Sequence, residues 1–431
     1  MSAPAAGDAV GPDGTGRPVS GPSERPLRAW SAVLAVSLGI FCLMTSELLP
    51  VGLLTPVGEG LGVSDGTAGL MVTVPGLVAA VCAPLVTVGT GRLDRRLVLC
   101  ALIALVAAAN LTAAVAPNFA VLLAARLLVG VGVGGFWAIA GGLALRLVPE
   151  RHTRRATAVI VAGVSMASVL GVPAGTLLAE LSGWRAAFAS VGVLGLGSLA
   201  ALVLLLPPLP PGPSVGFAEL PAVLRSNAAV RAGVIVTFLL VTGQFAAYTY
   251  VRPVLQDISG VPAAAVSTLL LGYGAAGVAG NFLAGARAAR RALLVTGLVL
   301  PVLLTLIALL SSPVAGGVLL IAWGLVYGGV SVSVQNWMNK AAPGATEAAS
   351  SLMVAMFNLA IAVGAVTGGA LVDGVSTAAA PLAGAALVLL AAVTILSTAR
   401  PAGPSVPVAG HAPDSGPGDV RTGEDDTVAG R

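Results

Sequence analysis

Glu47 and Arg126 are the two ionisable residues that fall deep inside apolar runs of this 431-residue chain. Glu47 stands in TSELLPVGLLTP and Arg126 in ARLLVGVGVGG, each nine residues from a proline, Pro56 or Pro117, at the edge of its run. At 1.5 Å per helical residue that is about 13 Å of depth for both, so the two share a level. Charged side chains are costly at membrane depth and usually face a bundle interior or a cavity. Desolvation and a nearby guanidinium pull a carboxylate's ionisation in opposite directions, and their balance can place titration near physiological pH. That suits a proton-coupled step at Glu47, tuned by Arg126. The alternative is that Arg126 packs or snorkels and Glu47 is only its counter-ion. His152 and His411 lie outside the expected spans, which leaves proton transfer to a carboxylate.

A second set of residues could recognise a ligand. Gln244, Tyr248, Trp137, Trp323, Tyr327, Asn336 and Asn358 put amides and aromatic faces in apolar runs, with Tyr250 beside Tyr248, Tyr273 and Asn281 in the eighth run, and Gln335 and Trp337 in the tenth. Together such groups suit a neutral, planar, hydrogen-bonding solute. Packing or interfacial anchoring is the competing account, and it is the one expected for Trp30 and Trp184. No metal or cofactor is expected: Cys42, Cys82 and Cys100 show no paired spacing. The single lysine, Lys340, precedes Ala341, so the Gly-Lys-Ser/Thr signature of a phosphate-binding loop is missing and ATP is not expected as energy source.

The elements that must position these groups are membrane helices. Only 9% of the residues are charged, 57% are hydrophobic, and the mean hydropathy is +0.97, whereas an ordinary soluble domain carries roughly 25% charged residues. Apolar runs of the roughly 20 residues that cross a hydrocarbon core are expected at 29–56, 67–91, 96–116, 119–148, 155–181, 186–206, 230–256, 263–286, 291–311, 314–340, 346–372 and 378–399. The fold class is therefore all-α and polytopic. Residues 1–28 and 401–431, rich in Pro, Gly and Ser or in acids, read as disordered tails. Lys and Arg concentrate on cytoplasmic loops. Arg92, Arg95, Arg96, Arg146, Arg151, Arg154, Arg155, Arg225, Arg231, Arg287, Arg290, Arg291, Lys340 and Arg400 all fall on one side if both termini are cytoplasmic, leaving Arg185 and Arg252 outside. These basic clusters read as topology anchors, and no nucleic-acid partner is expected. The expected setting is the inner or plasma membrane, with the bilayer, protons and a small-molecule substrate as partners of a monomer.

The runs fall into two halves. Pro207, Pro208, Pro210, Pro211 and Pro213 open a cytoplasmic linker over 208–228, between six helices at 29–207 and six at 229–400. Arg92-Leu-Asp-Arg-Arg96 returns as Arg287-Ala-Ala-Arg-Arg291 at an offset of 195. GVGVGGFWAIAGGLALRLVP from Gly130 returns as GLVYGGVSVSVQNWMNKAAP from Gly324 at 194, and the stretch Gly171–Glu180 returns as Gly364–Asp373 at 193. Glu47 and Pro56 align with Gln244 and Pro253 at 197. Such repeats mark transporters that bind substrate between two bundles, related by an axis normal to the membrane. The carboxylate of one half is an uncharged amide in the other, as expected for a proton site in one bundle and substrate contacts in the other. Gly130, Gly132, Gly171, Pro173 and Gly175 read as close-packing surfaces.

These residues resemble the twelve-helix drug:proton antiporters of the major facilitator superfamily, over roughly 30–400. Gly89-Thr-Gly-Arg-Leu-Asp94-Arg95-Arg96 is similar to the family's loop signature, Arg126, Gly130 and Gly132 to its fourth-helix signature, and Gly163 through Gly171, Pro173 and Gly175 to its fifth-helix signature. SELLPVGLLTP at 46–56, GGFWAIAG at 134–141, GWRAAF at 183–188, GQFAAYTYVRPV at 243–254 and AWGLVYG at 322–328 are similar to the purine ribonucleoside efflux permeases. The resemblance implies two pseudo-symmetric six-helix bundles, alternating access, and export of purine ribonucleosides in exchange for protons. It also implies a conformational gate at Gly89, Asp94, Arg95 and Arg96. Export of drugs, antibiotics or sugars by the same fold is the alternative reading; a proton-independent facilitator or importer and a membrane enzyme are remoter ones.

Overall fold

The computed structural model describes residues 26–89, 93–140, 143–210, 219–285, 287–343 and 345–398. Residues 1–25 and 399–431, the middle of the Pro-rich linker (211–218) and Arg92 of the gate loop lie outside the described residues, while Pro26–Arg28, expected in the N-terminal tail, already belong to the first helix.

Among the described residues, twelve helices are long and apolar enough to cross a membrane: α1 (Arg28–Leu61), α2 (Asp65–Ala83), α3 (Arg95–Ala114), α4 (Phe119–Trp137), α5 (Glu150–Ser182), α6 (Trp184–Leu205), α7 (Ala228–Tyr248), α8 (Ala263–Gly285), α9 (Ala289–Leu309), α10 (Pro313–Ala341), α11 (Ala348–Gly374) and α12 (Ala379–Ser397). Among the described residues there is no strand. Each helix satisfies its own backbone, and with closed barrels that is one of the two arrangements stable in hydrocarbon. The outward faces are apolar to a degree water would not tolerate, with Leu204 80%, Val314 77% and Phe282 75% exposed. The chain is a multi-pass membrane protein.

The helices match the expected runs one for one, with shifts at the ends. α1 continues past Pro56 to Leu61, and α5 begins at Glu150, so His152 falls in its first turn, against Trp30 with ring centroids 6.4 Å apart. Between α6 and α7 a short helix spans Glu219–Ser226. α7 is not a simple rod. It breaks at Thr249 and Tyr250, resumes over Val251–Pro253, and ends in a π-helical turn over Val254–Ile258. α5 carries a π-helical turn of its own at Ala167–Gly171, inside the glycine-rich stretch. Such turns interrupt the regular ladder and often mark functional segments.

The repeat in the sequence returns as repeated packing. On α4, Gly130 and Gly134 lie so close to α2 that an added Cβ would fall 2.6 Å from the Pro75 and Ala79 carbonyl oxygens. On α10 the aligned Gly324 and Gly328 press in the same way on Tyr273 and Gly277 of α8. Gly171 and Gly175 of α5 meet Thr45 and Leu49 of α1; the aligned Gly364 and Gly368 of α11 meet Thr242 and Ala246 of α7. Small residues let backbones approach because the drive in lipid is van der Waals contact. Gly132 fills a parallel role against Val106 of α3, and Pro173 begins the helical segment that follows the π turn. The halves themselves meet through related pairs: Gly76 of α2 against Asn358 and Ala362 of α11, and Gly274 of α8 against Ser168 and Val169 of α5.

Charges divide the bundle's two ends. Arg95, Arg96, Arg146, Arg225, Arg231, Arg287, Arg290, Arg291 and Lys340 gather at a basic end, while Glu59, Asp65, Glu180, Asp257 and Asp373 gather at the opposite, acidic end.

Candidate functional site

The first cluster lies in the N-terminal half. Arg126 is fully buried at the middle of α4, and its guanidinium donates from Nε to the Met71 carbonyl at 3.0 Å and from Nη1 to the Ser46 carbonyl at 2.8 Å. Nη2 lies 3.4 Å from the Glu47 carbonyl. Arg126 thus clamps the backbone of α1 and α2 beside Glu47 and does not lock onto its carboxylate. Glu47 is 7% exposed, and among the described residues its carboxylate accepts no hydrogen bond and forms no ion pair. Residues 46 and 47 reach Arg126 at one height, as their equal depths in sequence require. Ser46 and Asn110 of α3 extend the cluster: the Asn110 amide donates to Ser46 Oγ at 2.8 Å and to the Val106 carbonyl at 2.8 Å. Asn110 is 1% exposed. Sequence reasoning passed over it because a lone amide among alanines carries no spacing signal.

The second cluster lies in the C-terminal half. Gln244 of α7 is 1% exposed and tied at both ends of its amide. Its Oε1 accepts from the Trp323 indole N–H at 2.7 Å, and its Nε2 donates to the Tyr273 hydroxyl at 2.9 Å. Tyr248 stacks on Tyr273 with centroids 4.7 Å apart and an interplanar angle of 21°. Trp323 meets Tyr248 edge-on at 5.9 Å and Tyr273 at 6.0 Å, and Phe245 meets Tyr248 edge-on at 6.2 Å. These are the offset and edge-to-face arrangements that aromatic quadrupoles favour. Tyr327, one turn beyond Trp323, packs against the same core, and its buried hydroxyl has no hydrogen-bond partner among the described residues. A buried hydroxyl left unpaired in a native fold needs an explanation, such as a ligand or an ordered water.

Gln244, Tyr248, Trp323 and Tyr327 are therefore brought together, and Tyr273 and Phe245 join them. Three expected substrate residues are placed elsewhere. Trp137, like Trp30 and Phe41, packs against the N-terminal half's core. Asn336 lies thirteen residues beyond Trp323 on α10, roughly 20 Å along the helix axis. Asn358 sits on α11 where it meets Gly76 of α2, its Nδ2 donating to its own helix at Val354, 2.9 Å away. Gln335 and Trp337 are occupied locally, by Asn339, Ser350 and the Ala229 carbonyl.

The expected gate residues form a clasp within the N-terminal half. Asp94 caps α3 by accepting from Arg96 N at 2.8 Å and also accepts from Leu209 N at 3.0 Å, while Arg95 N donates to the Leu209 carbonyl at 2.9 Å. Arg96 donates to the Val203 carbonyl and Arg146 to that of Pro210. Gly89 is the last helical residue before this loop, with open space around its Cα. Asp94, Arg95 and Arg96 thereby bind the start of α3 to the chain leaving α6. Among the described residues, no group of three or more His, Cys, Asp or Glu could hold a metal ion.

Twelve crossings in two repeat-related halves, each with a buried polar cluster on corresponding helices, define a polytopic carrier of the two-bundle kind. The model of the Major Facilitator Superfamily matches residues 36–356, and the chain belongs to that family of transporters. It is 36% identical over 403 residues to a Pseudomonas aeruginosa protein named transcription regulatory protein OpdE, covering 91% of this chain and 100% of that one. It is 35% identical over 376 residues to the purine ribonucleoside efflux pump NepI of Escherichia coli strain K12, covering 86% of this chain and 94% of the pump. Among solved structures, a bacterial homologue of the human lysosomal transporter Spinster, inward-facing and occupied, superposes with a TM-score of 0.70 at 14% identity, covering 86% and 97% of the two chains. That likeness speaks for the fold alone.

Proposed function

We propose that this transporter exports a small, planar, polar solute, a purine ribonucleoside, in exchange for protons that bind at Glu47. The observation that carries the reading is the division of labour between halves: in one a buried carboxylate with no hydrogen-bond partner among the described residues, in the other an amide ringed by aromatic faces. A desolvated carboxylate near a fixed guanidinium is a site where proton uptake changes the local charge at modest cost. Aromatic faces stack on a base while the Gln244 amide and the Tyr273 and Tyr327 hydroxyls offer donors and acceptors to its edge. The similarity to a purine ribonucleoside efflux pump supports this substrate class. On this reading the basic end faces the cytoplasm of a cell whose inner or plasma membrane holds the protein, following the distribution of Lys and Arg.

The test is uptake of labelled inosine into inverted membrane vesicles with an imposed pH gradient. Wild-type protein should accumulate inosine when the gradient is present, and Glu47→Gln should not. Resistance to an antibiotic with no inosine flux would move the reading to drug efflux, and flux that survives collapse of the gradient would remove proton coupling.

A further inference from the structure

At the acidic end each half reaches across to the other with a carboxylate, and the two carboxylates are repeat partners. Glu180, near the end of α5, accepts from Ser267 Oγ of α8 at 3.0 Å and lies 3.8 Å from Arg252 Nη1, just beyond α7. Asp373, near the end of α11, accepts from Ser64 Oγ at 2.5 Å and from the backbone N–H of Gly66, at the start of α2, at 2.9 Å. So α5 reaches to α8 and α11 reaches to the beginning of α2, the same pair of elements exchanged between halves. Arg252 adds a further crossing by donating to the Gly52 carbonyl of α1 at 2.9 Å, and Tyr250, fully buried, donates to Ala365 at 2.8 Å with its hydroxyl 3.5 Å from the Gly66 carbonyl. Among bonds made wholly between described residues, those joining the halves all lie at this end.

We infer that Glu180 and Asp373 are positioning residues for transport: a reciprocal latch that holds the acidic end closed and must part on both sides for that end to open. Neither residue touches the aromatic cluster or Glu47, so the latch sets which end is open and leaves the solute and proton sites intact. The two sides differ in strength. Position 55, aligned with Arg252 at the offset of 197, is Thr55, whose hydroxyl lies 3.5 Å from Asp65. The Glu180 side is thus an ion pair with a hydroxyl, and the Asp373 side a carboxylate held by a hydroxyl and an N–H. Glu59 and Asp65 act on Arg252 along with Glu180, and Asp257 and Asp373 act on Asp65, so Arg252 is the cation set among these acids. The inference invokes neither the solute nor the proton, so its first test reads the accessibility of the acidic end and not inosine flux.

The test is labelling of a Val51→Cys reporter by a membrane-impermeant maleimide applied from the acidic end. Val51 is fully buried between the halves beside Gly52, and parallel samples without the reporter correct for the native cysteines. Glu180→Gln with Asp373→Asn should raise the labelling rate roughly tenfold or more, since a tenfold change in an equilibrium corresponds to about 1.4 kcal/mol, comparable to one charge-assisted hydrogen bond. The exchange Glu180→Arg with Arg252→Glu should return the rate toward wild type, which a merely structural role would not do. Wild-type labelling in the double variant, with unchanged gel-filtration behaviour, overturns the inference. If that variant does not fold, Ser64→Cys with Asp373→Cys decides: oxidation should stop transport and reduction restore it, and undiminished transport by the fully cross-linked protein overturns the latch.

Discussion

The two halves place their polar clusters on corresponding helices and fill them with opposite chemistry. In the N-terminal half Glu47 of α1, the Met71 carbonyl of α2 and Arg126 of α4 converge; in the C-terminal half Gln244 of α7, Tyr273 of α8 and Trp323 of α10 converge. Glu47 and Gln244 occupy aligned positions, and the residue aligned with Arg126 is Leu320, fully buried and uncharged. The packing glycines between these helices match from half to half, so the scaffold has been kept while the cargo of charge has not. The scaffold is symmetric where the helices pack and asymmetric where the polar groups lie. On the proposed reading, one cluster holds a charge that a proton cancels and the other offers surfaces that a solute completes.

Erasing this difference should have the largest effects. Glu47→Gln gives the N-terminal half the amide of its partner and should abolish accumulation driven by a pH gradient, while labelled solute still equilibrates across proteoliposomes; retained gradient-driven accumulation would contradict the assignment. Arg126→Leu copies Leu320 but strips the donors from the Ser46 and Met71 carbonyls, each a buried acceptor worth about 1–3 kcal/mol when left unmet. It should lower the melting temperature of the detergent-solubilised protein clearly, and more than Glu47→Gln does. Adding Glu47→Gln to Arg126→Leu should not recover that loss, because the guanidinium's bonds run to backbone carbonyls. A double variant as stable as wild type would mean that the carboxylate, and not the backbone, is what Arg126 serves.

How much of this could be read beforehand follows from what each signal depends on. The twelve helices were legible because length and apolarity are set by the bilayer, and the repeat because glycines at contact points cannot drift without a clash. Glu47 and Arg126 stood out because charge in a hydrocarbon span is rare. Arg252 did not: it counts with Arg185 among the basic residues of the outer ends, yet it is 6% exposed and bridges the halves, just after the break in α7. Tyr273 and Phe245 were similarly overshadowed, because an aromatic residue in an apolar run has the same appearance whether it packs or recognises. Asn336 and Trp137 were expected near Gln244 on residue type alone, and helix rise carries them to other levels.

The aromatic cluster allows smaller and finer tests, ordered by what each atom touches. Trp323→Phe keeps a ring but removes the N–H that Gln244 Oε1 accepts at 2.7 Å. Loss of one such bond, about 1 kcal/mol, should raise the apparent KM for inosine roughly fivefold while the dependence on the pH gradient stays that of wild type. Tyr248→Phe should do less. Its ring stacks on Tyr273 and meets Trp323 and Phe245 edge-on, all of which phenylalanine preserves. Tyr248→Ala forfeits those contacts, worth about 0.5–1.5 kcal/mol per aromatic pair beyond burial, and should raise KM well beyond the Phe variant. If Tyr248→Phe proves as damaging as Tyr248→Ala in the same flux assay, the hydroxyl and not the ring face recognises the solute. The C-terminal cluster would then discriminate by polar contacts as the N-terminal one does, and the contrast between the halves would narrow to charge alone.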